Sequence, residues 1–370
     1  MLNRRTFLKK APVFSAALSA AGLSCIRPAF GQQAPVTKFH APSPMMVGLN
    51  AFSFGRMLNA VAKGRKGPGM SLFQLLEYCA DRLHRFDAAD ITGYYFPGYS
   101  ATEATVPPDK FVADVKRRAA DLGIAISGTG IGNSFTGVPF DREGKKGIVF
   151  SKDEGGERAN IVKDLARIKA WIEVAARLGA PVLRVFAGLE PSYLMKEHIA
   201  PSDPEKEKKS LKLNAWREEI FKWLVDDLSE MVEHGKQFGV IIGIQNHGDF
   251  LKTADETIEL LKAVNSKWIG VIVDTGYFLT PDPYADIRRV LPYAVNFQIK
   301  ELVRVCPSQY MPGPLKPTDL TRLMKIIRRS GYHGYLPIET LSAGKTSRYE
   351  PLNDVPKFLK QVREAISKTA

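Results

Sequence analysis

Short apolar runs rich in β-branched residues alternate along this chain with longer segments whose apolar positions recur every three or four residues. The short runs fall at residues 47–54, 89–95, 124–129, 182–187, 240–245, 269–274, 295–299 and 335–339. Strands that are each followed by a helical segment are typical of a parallel sheet covered by helices. The pattern therefore predicts an α/β protein with eight strand–helix units.

The predicted helices carry an apolar stripe on one face, as at Ile220, Leu224, Leu228 and Met231. They fall at residues 71–82, 108–122, 161–178, 216–238, 254–264, 283–291, 319–330 and 355–368. Eight units favour a closed (β/α)8 barrel over an open sheet, which usually has fewer strands and a glycine-rich phosphate loop. No such loop motif occurs in the sequence. We therefore expect a single TIM-barrel domain over residues 47–370.

Two connections in this barrel are too long to be simple turns. Residues 134–160 and 189–214 both follow predicted strands. They therefore belong to the C-terminal mouth, where barrel enzymes build their active sites. The second connection contains a charged run at residues 205–209, which indicates a solvated helix or a flexible lip.

The first 31 residues differ in composition from the rest of the chain. They contain five Lys or Arg residues and no acidic residue, and their apolar run is rich in Ala and Ser. That run is shorter than the roughly 20 residues that span a bilayer as a helix. With paired Arg4 and Arg5 before it, the segment resembles a twin-arginine export signal. The alternative is a short basic anchor.

The resemblance to an export signal implies a cleavable signal peptide at residues 1–31, a linker at 32–46 and a periplasmic or secreted protein. The twin-arginine export machinery would be a partner, and we expect no stable membrane insertion after cleavage. The formal net charge is +13, and removing the five basic residues of the signal leaves +8. Because the charges are scattered along helices without interleaved aromatics, we expect no nucleic-acid partner.

The last four predicted strands each end abruptly in a polar group. Gln245, Asp274, Gln298 and Glu339 close these apolar runs in turn. A buried carboxylate or amide without a partner costs several kcal/mol. Four such groups that converge at one end of a barrel could share a cation, which would resolve the cost of burial for all of them. The alternative is a polar network that only caps the strands.

This pattern is similar to the sugar isomerase/epimerase superfamily of xylose isomerase-like barrels, and the similarity extends over the whole predicted domain. In that family a Glu, an Asp, a His and a Glu end strands five to eight and hold a divalent metal, while the two Glu residues move protons at carbon. By position these roles fall on Gln245, Asp274, Gln298 and Glu339, with Mn or Mg as the expected metal. Two positions depart from the pattern, because Gln stands at 245 and 298. Gln245 has no proton to exchange near neutral pH.

Further residues near the strand ends are candidates for the same site. His247 could replace the missing acid or base, and Lys300 should face the same side as Gln298 unless it only pairs with Glu301. These two join Glu339 as predicted catalytic residues. The predicted substrate-binding residues are Arg184, Tyr95 and Asn246. Arg184 could equally neutralise carboxylates, and Tyr94 and Tyr95 could equally pack a loop.

The resemblance implies a metal-dependent enzyme that acts on a sugar, keto-sugar or cyclitol by removing a proton next to a carbonyl. Isomerisation and epimerisation share this chemistry. Because only one of the two Glu bases is present, a 3-keto-glycoside lyase or a dehydratase is the alternative within enzymes. An exported barrel that binds sugars without turning them over is the alternative from another class.

The paired arginines make the export hypothesis testable. Replacing Arg4 and Arg5 by Lys should hold the unprocessed precursor in the cytoplasm, because the export machinery recognises the arginine pair. Cell fractionation and immunoblotting measure the distribution. Unchanged accumulation of the processed chain outside the cytoplasm would reject the twin-arginine interpretation.

Overall fold

The computed structural model describes residues 43–137, 154–189, 204–311, 313–340 and 349–369. The predicted signal segment at 1–31 and most of the predicted linker at 32–46 lie outside these ranges. So do the central parts of the two long connections. None of the helices within the described ranges is long and apolar enough to cross a membrane.

Eight parallel strands close into a barrel, as the alternating pattern predicts. They are β1 (Val47–Asn50), β2 (Ala88–Thr92), β3 (Ala125–Gly130), β4 (Val182–Phe186), β5 (Ile241–Gln245), β6 (Ile269–Asp274), β7 (Ala294–Lys300) and β10 (Leu336–Glu339). Each barrel strand pairs with the barrel strand that follows it in the chain, so that β7 pairs with β10, and β10 pairs with β1 to close the barrel. A small antiparallel hairpin, β8 (Leu302–Arg304) with β9 (Leu315–Pro317), follows the seventh barrel strand.

Helices surround the barrel on the outside. They are α1 (Gly55–Ala62), α2 (Leu72–Ala80), α3 (Asp109–Asp121), α4 (Glu154–Leu178), α5 (Pro204–Phe238), α6 (Ala254–Val264), α7 (Pro283–Val290), α8 (Leu320–Ser330) and α9 (Pro351–Ser367). Side-chain caps fix several of their starts. Thr253 and Glu256, for example, exchange the reciprocal hydrogen bonds of a capping box at the start of α6.

Several predicted boundaries are wrong at the mouth of the barrel. The first strand was expected to run to residue 54, but it ends at Asn50, whose side chain accepts a hydrogen bond from Phe52 N at 2.8 Å and starts a 3₁₀ turn. The second strand ends at Thr92 rather than residue 95, and a 3₁₀ turn follows over Gly93–Tyr95. In both places the 3₁₀ turn ends the alternation of inward and outward side chains that a longer strand would have continued.

Other elements are longer than expected or were not expected at all. Helix α4 begins at Glu154 instead of residue 161, and α5 begins at Pro204 instead of residue 216, so the charged run at 205–209 is helical. Helix α1 and the β8–β9 hairpin were not predicted. Helix α1 is short and amphipathic, with Met57 and Leu58 buried, and its eight residues give little periodic signal.

Strand alternation divides the barrel into an apolar outer layer and a polar interior at the C-terminal end. In β7, Phe297 and Ile299 lie on the outer face among the helices, whereas Asn296, Gln298 and Lys300 lie on the inner face. Phe297 is fully buried and packs edge-to-face on Tyr332 with ring centroids 4.9 Å apart. The outer layer therefore carries the packing energy, and the inner layer is left for polar chemistry.

Truncation of this outer layer should destabilise the fold. We expect Phe297→Ala to lower the free energy of unfolding by about 3–5 kcal/mol, because it removes a fully buried ring and leaves a cavity. Leu352→Ala, at an exposed position of α9, is the matched control and should change stability by less than about 1 kcal/mol. Chemical denaturation followed by circular dichroism measures both. Equal losses in the two variants would contradict this account of the core.

Candidate active site

The polar residues at the ends of the last four barrel strands meet at the C-terminal mouth. Asp274 on β6 is in register with Gln298 on β7, and Glu339 on β10 is in register with Lys300. Gln245 at the end of β5 donates from Nε2 to Asp274 Oδ2 at 2.7 Å. All five side chains are buried. The structure thus brings together the four residues that the sequence marks as metal ligands, with Lys300 among them.

Lys300 lies between the two carboxylates of this cluster. Its Nζ is 2.6 Å from Glu339 Oε1 and 3.4 Å from Asp274 Oδ2. Burial disfavours the charged form of this ammonium, but the neighbouring carboxylates of Asp274 and Glu339 outweigh that cost and raise the pKa of Lys300. Lys300 is therefore a buried cation that is held by two anions, neither of which is the Glu301 carboxylate that the sequence offered as an alternative partner.

The two glutamine amides also lie against these carboxylates. The Gln298 amide lies beside Gln245, Asp274 and Glu339, and two orientations of the amide fit. In one, its oxygen accepts from Gln245 Nε2 at 2.8 Å. In the other, its nitrogen donates to Asp274 Oδ2 at 3.1 Å and Glu339 Oε2 at 2.9 Å, and its oxygen accepts from Asn50 Nδ2 at 3.2 Å. In both orientations an amide N–H already reaches Asp274 Oδ2.

These contacts do not fit the divalent metal that the resemblance implies. Asp274 Oδ1 accepts from Gly276 N at 3.0 Å, so both oxygens of this carboxylate have donors within the chain. The ammonium of Lys300 supplies positive charge, and among the described side chains of this cluster Gln245 Oε1 is buried without a hydrogen-bond partner. No group of three or more His, Cys, Asp or Glu side chains in the described ranges is placed to hold a metal ion. Both carboxylates therefore already have hydrogen-bond donors or an ammonium of the chain against them, while Gln245 Oε1 stays without a partner.

A cavity of about 200 Å³ opens above this cluster. It is lined by Asn50, Phe52, Thr92, Tyr94, Arg184, Phe186, Gln245, His247, Tyr277, Gln298, Lys300 and Glu339. Among these described residues Glu339 is the one carboxylate, while Arg184 and Lys300 are cationic and four are aromatic. A small concave site with convergent polar groups and an apolar wall suits one small polar molecule.

Arg184 lies in the wall of this cavity. Its guanidinium donates to Tyr94 OH at 3.0 Å and lies 4.1 Å from the centre of the Phe186 ring. Within the described ranges no carboxylate comes within ion-pair distance of it. Arg184 lines the cavity, and a guanidinium has five N–H donors, of which the Tyr94 hydroxyl accepts one. Its substrate-binding role stays a prediction.

Two glycines of β3 make room for the polar interior, which sequence reasoning did not find. A Cβ at Gly130 would lie 2.5 Å from Arg184 Nε, and a Cβ at Gly128 would lie 2.9 Å from Asn296 Nδ2. Asn296 in turn donates to Asp90 Oδ2 at 2.7 Å beneath the cavity. The sequence signal for this layer is alternate glycines in one strand and an Asp inside an apolar strand.

His247 lies in the cavity wall on an aromatic support. Its ring stacks on Tyr277 with centroids 4.5 Å apart and lies 4.7 Å from the Phe186 ring. Its Nδ1 is 4.0 Å from Asp249 Oδ2, and burial raises the pKa of Asp249 to about 7. His247 therefore lines the cavity, and its role as an acid or base stays a prediction.

The two remaining predicted substrate residues do not line the cavity. Asn246 is buried and exchanges hydrogen bonds with the backbone of Asp274, donating to the Asp274 carbonyl and accepting from Asp274 N, both at 2.9 Å. It holds the ends of β5 and β6 together. Tyr95 is buried in the core, and its neighbour Tyr94 faces the cavity instead. The 3₁₀ turn after β2 decides which tyrosine faces inward.

The closed parallel barrel, with its polar strand ends at the C-terminal mouth, defines the class of TIM-barrel proteins. A family model of xylose isomerase-like TIM barrels matches residues 86–362. The chain therefore belongs to the xylose isomerase-like TIM barrel family. Among curated proteins, no sequence matches this chain.

Solved structures are similar to this chain in fold. A xylose isomerase-like TIM barrel protein from Mycobacterium smegmatis, in complex with magnesium, is 19% identical with a TM-score of 0.52 and covers 88% of this chain and 98% of its own. A 3-keto-D-glucoside 4-epimerase from E. coli is 12% identical with a TM-score of 0.55, covering 86% and 99%. A mannonate dehydratase from Streptococcus suis is 12% identical with a TM-score of 0.55, covering 88% and 95%. At these identities the likeness establishes the fold.

The buried Asp90 beneath the cavity should make stability depend on pH. Burial raises its pKa to about 6, against a value near 3.9 in an unfolded chain. The folded state then binds more protons than the unfolded state between about pH 4 and 6, so stability falls as the pH rises through that window. We expect Asp90→Asn to make this decline shallower, while the buried Asp249 and Asp274, whose pKa values are raised by burial to about 7, still contribute to it. Denaturation curves of both proteins at several pH values measure it, and parallel pH profiles would contradict the expectation.

Proposed function

We propose that this protein is an enzyme of the sugar isomerase/epimerase type, which acts on a sugar, keto-sugar or cyclitol by removing a proton from the carbon next to a carbonyl group. The observation that carries the proposal is the position of Glu339. Its carboxylate lies at the cavity with Lys300 Nζ 2.6 Å from Oε1. A carboxylate positioned at the cavity can accept a proton from a substrate carbon, and the ammonium beside it can stabilise the negative charge that develops on the substrate oxygen.

The chemistry divides between the residues of the cavity as follows. Glu339 takes the proton, and the electron pair of the broken C–H bond forms a C=C bond while the carbonyl oxygen becomes an oxyanion. Lys300 and Arg184 supply positive charge in the same cavity, where a preorganised cation in a buried site stabilises a developing oxyanion. In an epimerisation a proton then returns to the same carbon from the opposite face, and the carbonyl group re-forms. In an isomerisation the hydroxyl proton of that carbon moves to the oxyanion, and a proton adds to the former carbonyl carbon, so that the new carbonyl group lies on the first carbon. His247 is the candidate to deliver the proton to carbon from the cavity wall.

The cavity wall supports a carbohydrate as the substrate. Phe52, Tyr94, Phe186 and Tyr277 give it aromatic surface, while Asn50, Gln245 and Gln298 give it amides. This combination suits a molecule with an apolar ring face and hydroxyl edges. The family membership and the similarity in fold to an epimerase of a keto-glucoside support the same class. The divalent metal of the original prediction forms no part of the proposal, because the donor set does not fit it.

Elimination is the second candidate reaction. Glu339 is the one carboxylate among the described residues that line the cavity, and an elimination needs a single base. The same enediolate would then expel a leaving group from the next carbon, as in a 3-keto-glycoside lyase or a dehydratase. A mannonate dehydratase has the same fold. The products distinguish the reactions, because elimination gives an unsaturated product and a released group.

The test is exchange of substrate protons with solvent. Wild type and Glu339→Gln are incubated in deuterated water with a panel of aldoses, ketoses, cyclitols and 3-keto-glycosides, and proton NMR follows deuterium uptake and new products. We expect the variant to lose about 10²- to 10⁴-fold in rate, the usual contribution of a general base. Glu230→Gln, which removes a half-exposed glutamate of a surface ion pair with Lys169, should leave the rate unchanged.

Absence of exchange and of product across the panel, with binding of a sugar by calorimetry, would overturn the proposal in favour of a non-catalytic sugar-binding barrel. The periplasmic or secreted location stays a prediction from residues 1–31. If it holds, free sugars and glycosides are more accessible substrates than sugar phosphates.

A further inference from the structure

We infer that Lys300 occupies the place of a metal ion in this barrel, so that the site works with an internal ammonium and without a divalent cation. The inference deepens the proposed function. It rests on that function only where it names the substrate oxyanion as the group that the ammonium stabilises. It is carried by the contacts of Lys300 with Asp274 and Glu339, the two carboxylates at the strand ends.

The first argument is charge. Asp274 and Glu339 bring two carboxyl groups to the end of the barrel, and Lys300 Nζ lies within 3.4 Å of both. A divalent cation between these carboxylates would have to displace the ammonium or lie against it. Two positive charges a few ångströms apart in a buried site repel each other strongly. The displaced ammonium would also be buried without its partners, which is a heavy cost.

The second argument is the residue types around the ammonium. Gln245 and Gln298 present amides where charged or imidazole ligands would strengthen a metal site. Gln245 Nε2 donates to Asp274 Oδ2 at 2.7 Å and to Gln298 Oε1 at 2.8 Å. The amide of Gln245 thus donates to the same Asp274 oxygen that lies 3.4 Å from the ammonium. Gln245, Gln298 and Lys300 therefore form one consistent set with the two carboxylates.

The third argument is position. Lys300 also lines the cavity, and its Nζ lies 5.6 Å from the centre of the Tyr277 ring. The same group that neutralises the carboxylates is thus available to a ligand oxygen. Its ammonium protons can stabilise the oxyanion that forms when Glu339 removes a proton, and it needs no exchangeable cofactor to do so.

The experiment measures metal binding directly and independently of any activity. Four proteins are dialysed against EDTA: wild type, Gln245→Glu, the double variant Gln245→Glu/Lys300→Met, and Lys169→Met as a control that removes a surface lysine paired with Glu230. Electron paramagnetic resonance follows the loss of free Mn²⁺ signal on titration. Thermal melting with and without 
Mn²⁺ or Mg²⁺ gives a second readout, since a ligand of the folded state raises Tm.

We expect wild type and Lys169→Met to bind no Mn²⁺ stoichiometrically and to show no metal-dependent rise in Tm. The double variant, with three carboxylates and no ammonium, should bind one Mn²⁺. Gln245→Glu alone, in which Lys300 remains, should bind at least about tenfold more weakly, a difference of about 1.4 kcal/mol. Circular dichroism checks that each variant is folded.

Stoichiometric binding of Mn²⁺ to wild type at micromolar concentration would overturn the inference. So would equal affinities of Gln245→Glu and the double variant, because Lys300 would then not be what excludes the metal. If the double variant does not fold, the wild-type titration still decides. If wild type turns over no sugar while the metal-binding results are as expected, the proposed reaction is wrong and the inference stands. If EDTA abolishes turnover by wild type and added metal restores it, the inference is wrong and the proposed reaction stands.

Discussion

The site depends on the contact of one buried ammonium, that of Lys300, with two buried carboxylates at the end of the barrel. Lys300 holds Asp274 and Glu339 together at 3.4 and 2.6 Å. Removing one partner from a buried charge cluster commonly costs about 3–5 kcal/mol, because the remaining charges stay desolvated. The three side chains therefore fix one another, and the hydrogen bonds of Gln245 and Gln298 follow from the lone pairs that remain. The geometry of Glu339 at the cavity is a consequence of this balance.

The barrel around this cluster is built to leave space for it. Gly128 and Gly130 have no side chains, which leaves room for Asn296 and Arg184 inside the barrel. Asn246 ties the ends of β5 and β6 through the backbone of Asp274. Most of the apolar packing lies on the outer face of the strands, where Phe297 and its neighbours meet the helices, and Val182 and Ile272 pack inside the barrel beside Gly243. The polar groups are gathered at the C-terminal mouth, which is where TIM barrels build their active sites.

Membership of the xylose isomerase-like family and the residues at its strand ends lead to different expectations about metals. The family match covers residues 86–362, and a fold relative is known in complex with magnesium. In this chain glutamines stand at 245 and 298, and Lys300 places its ammonium against both Asp274 and Glu339. A fold can thus be kept while the charge at its centre is supplied by a different group, because the site requires positive charge and not one particular source of it.

The sequence by itself determined the barrel, its eight strands and the residues that end the last four of them, because alternating apolar periodicity and parallel topology leave few arrangements. It also placed Lys300 on the same face as Gln298. It could not determine that Lys300 pairs with Glu339 and Asp274 rather than Glu301, because β10 lies beside β7 only once the barrel is folded. Nor could it decide between Tyr94 and Tyr95, since the 3₁₀ turn after β2 interrupts strand alternation. Asp90 and Asn296, 206 residues apart in the chain, meet only in the closed barrel. Local pattern fixes which face a side chain takes, whereas its partner is fixed by the strands that tertiary packing places next to it.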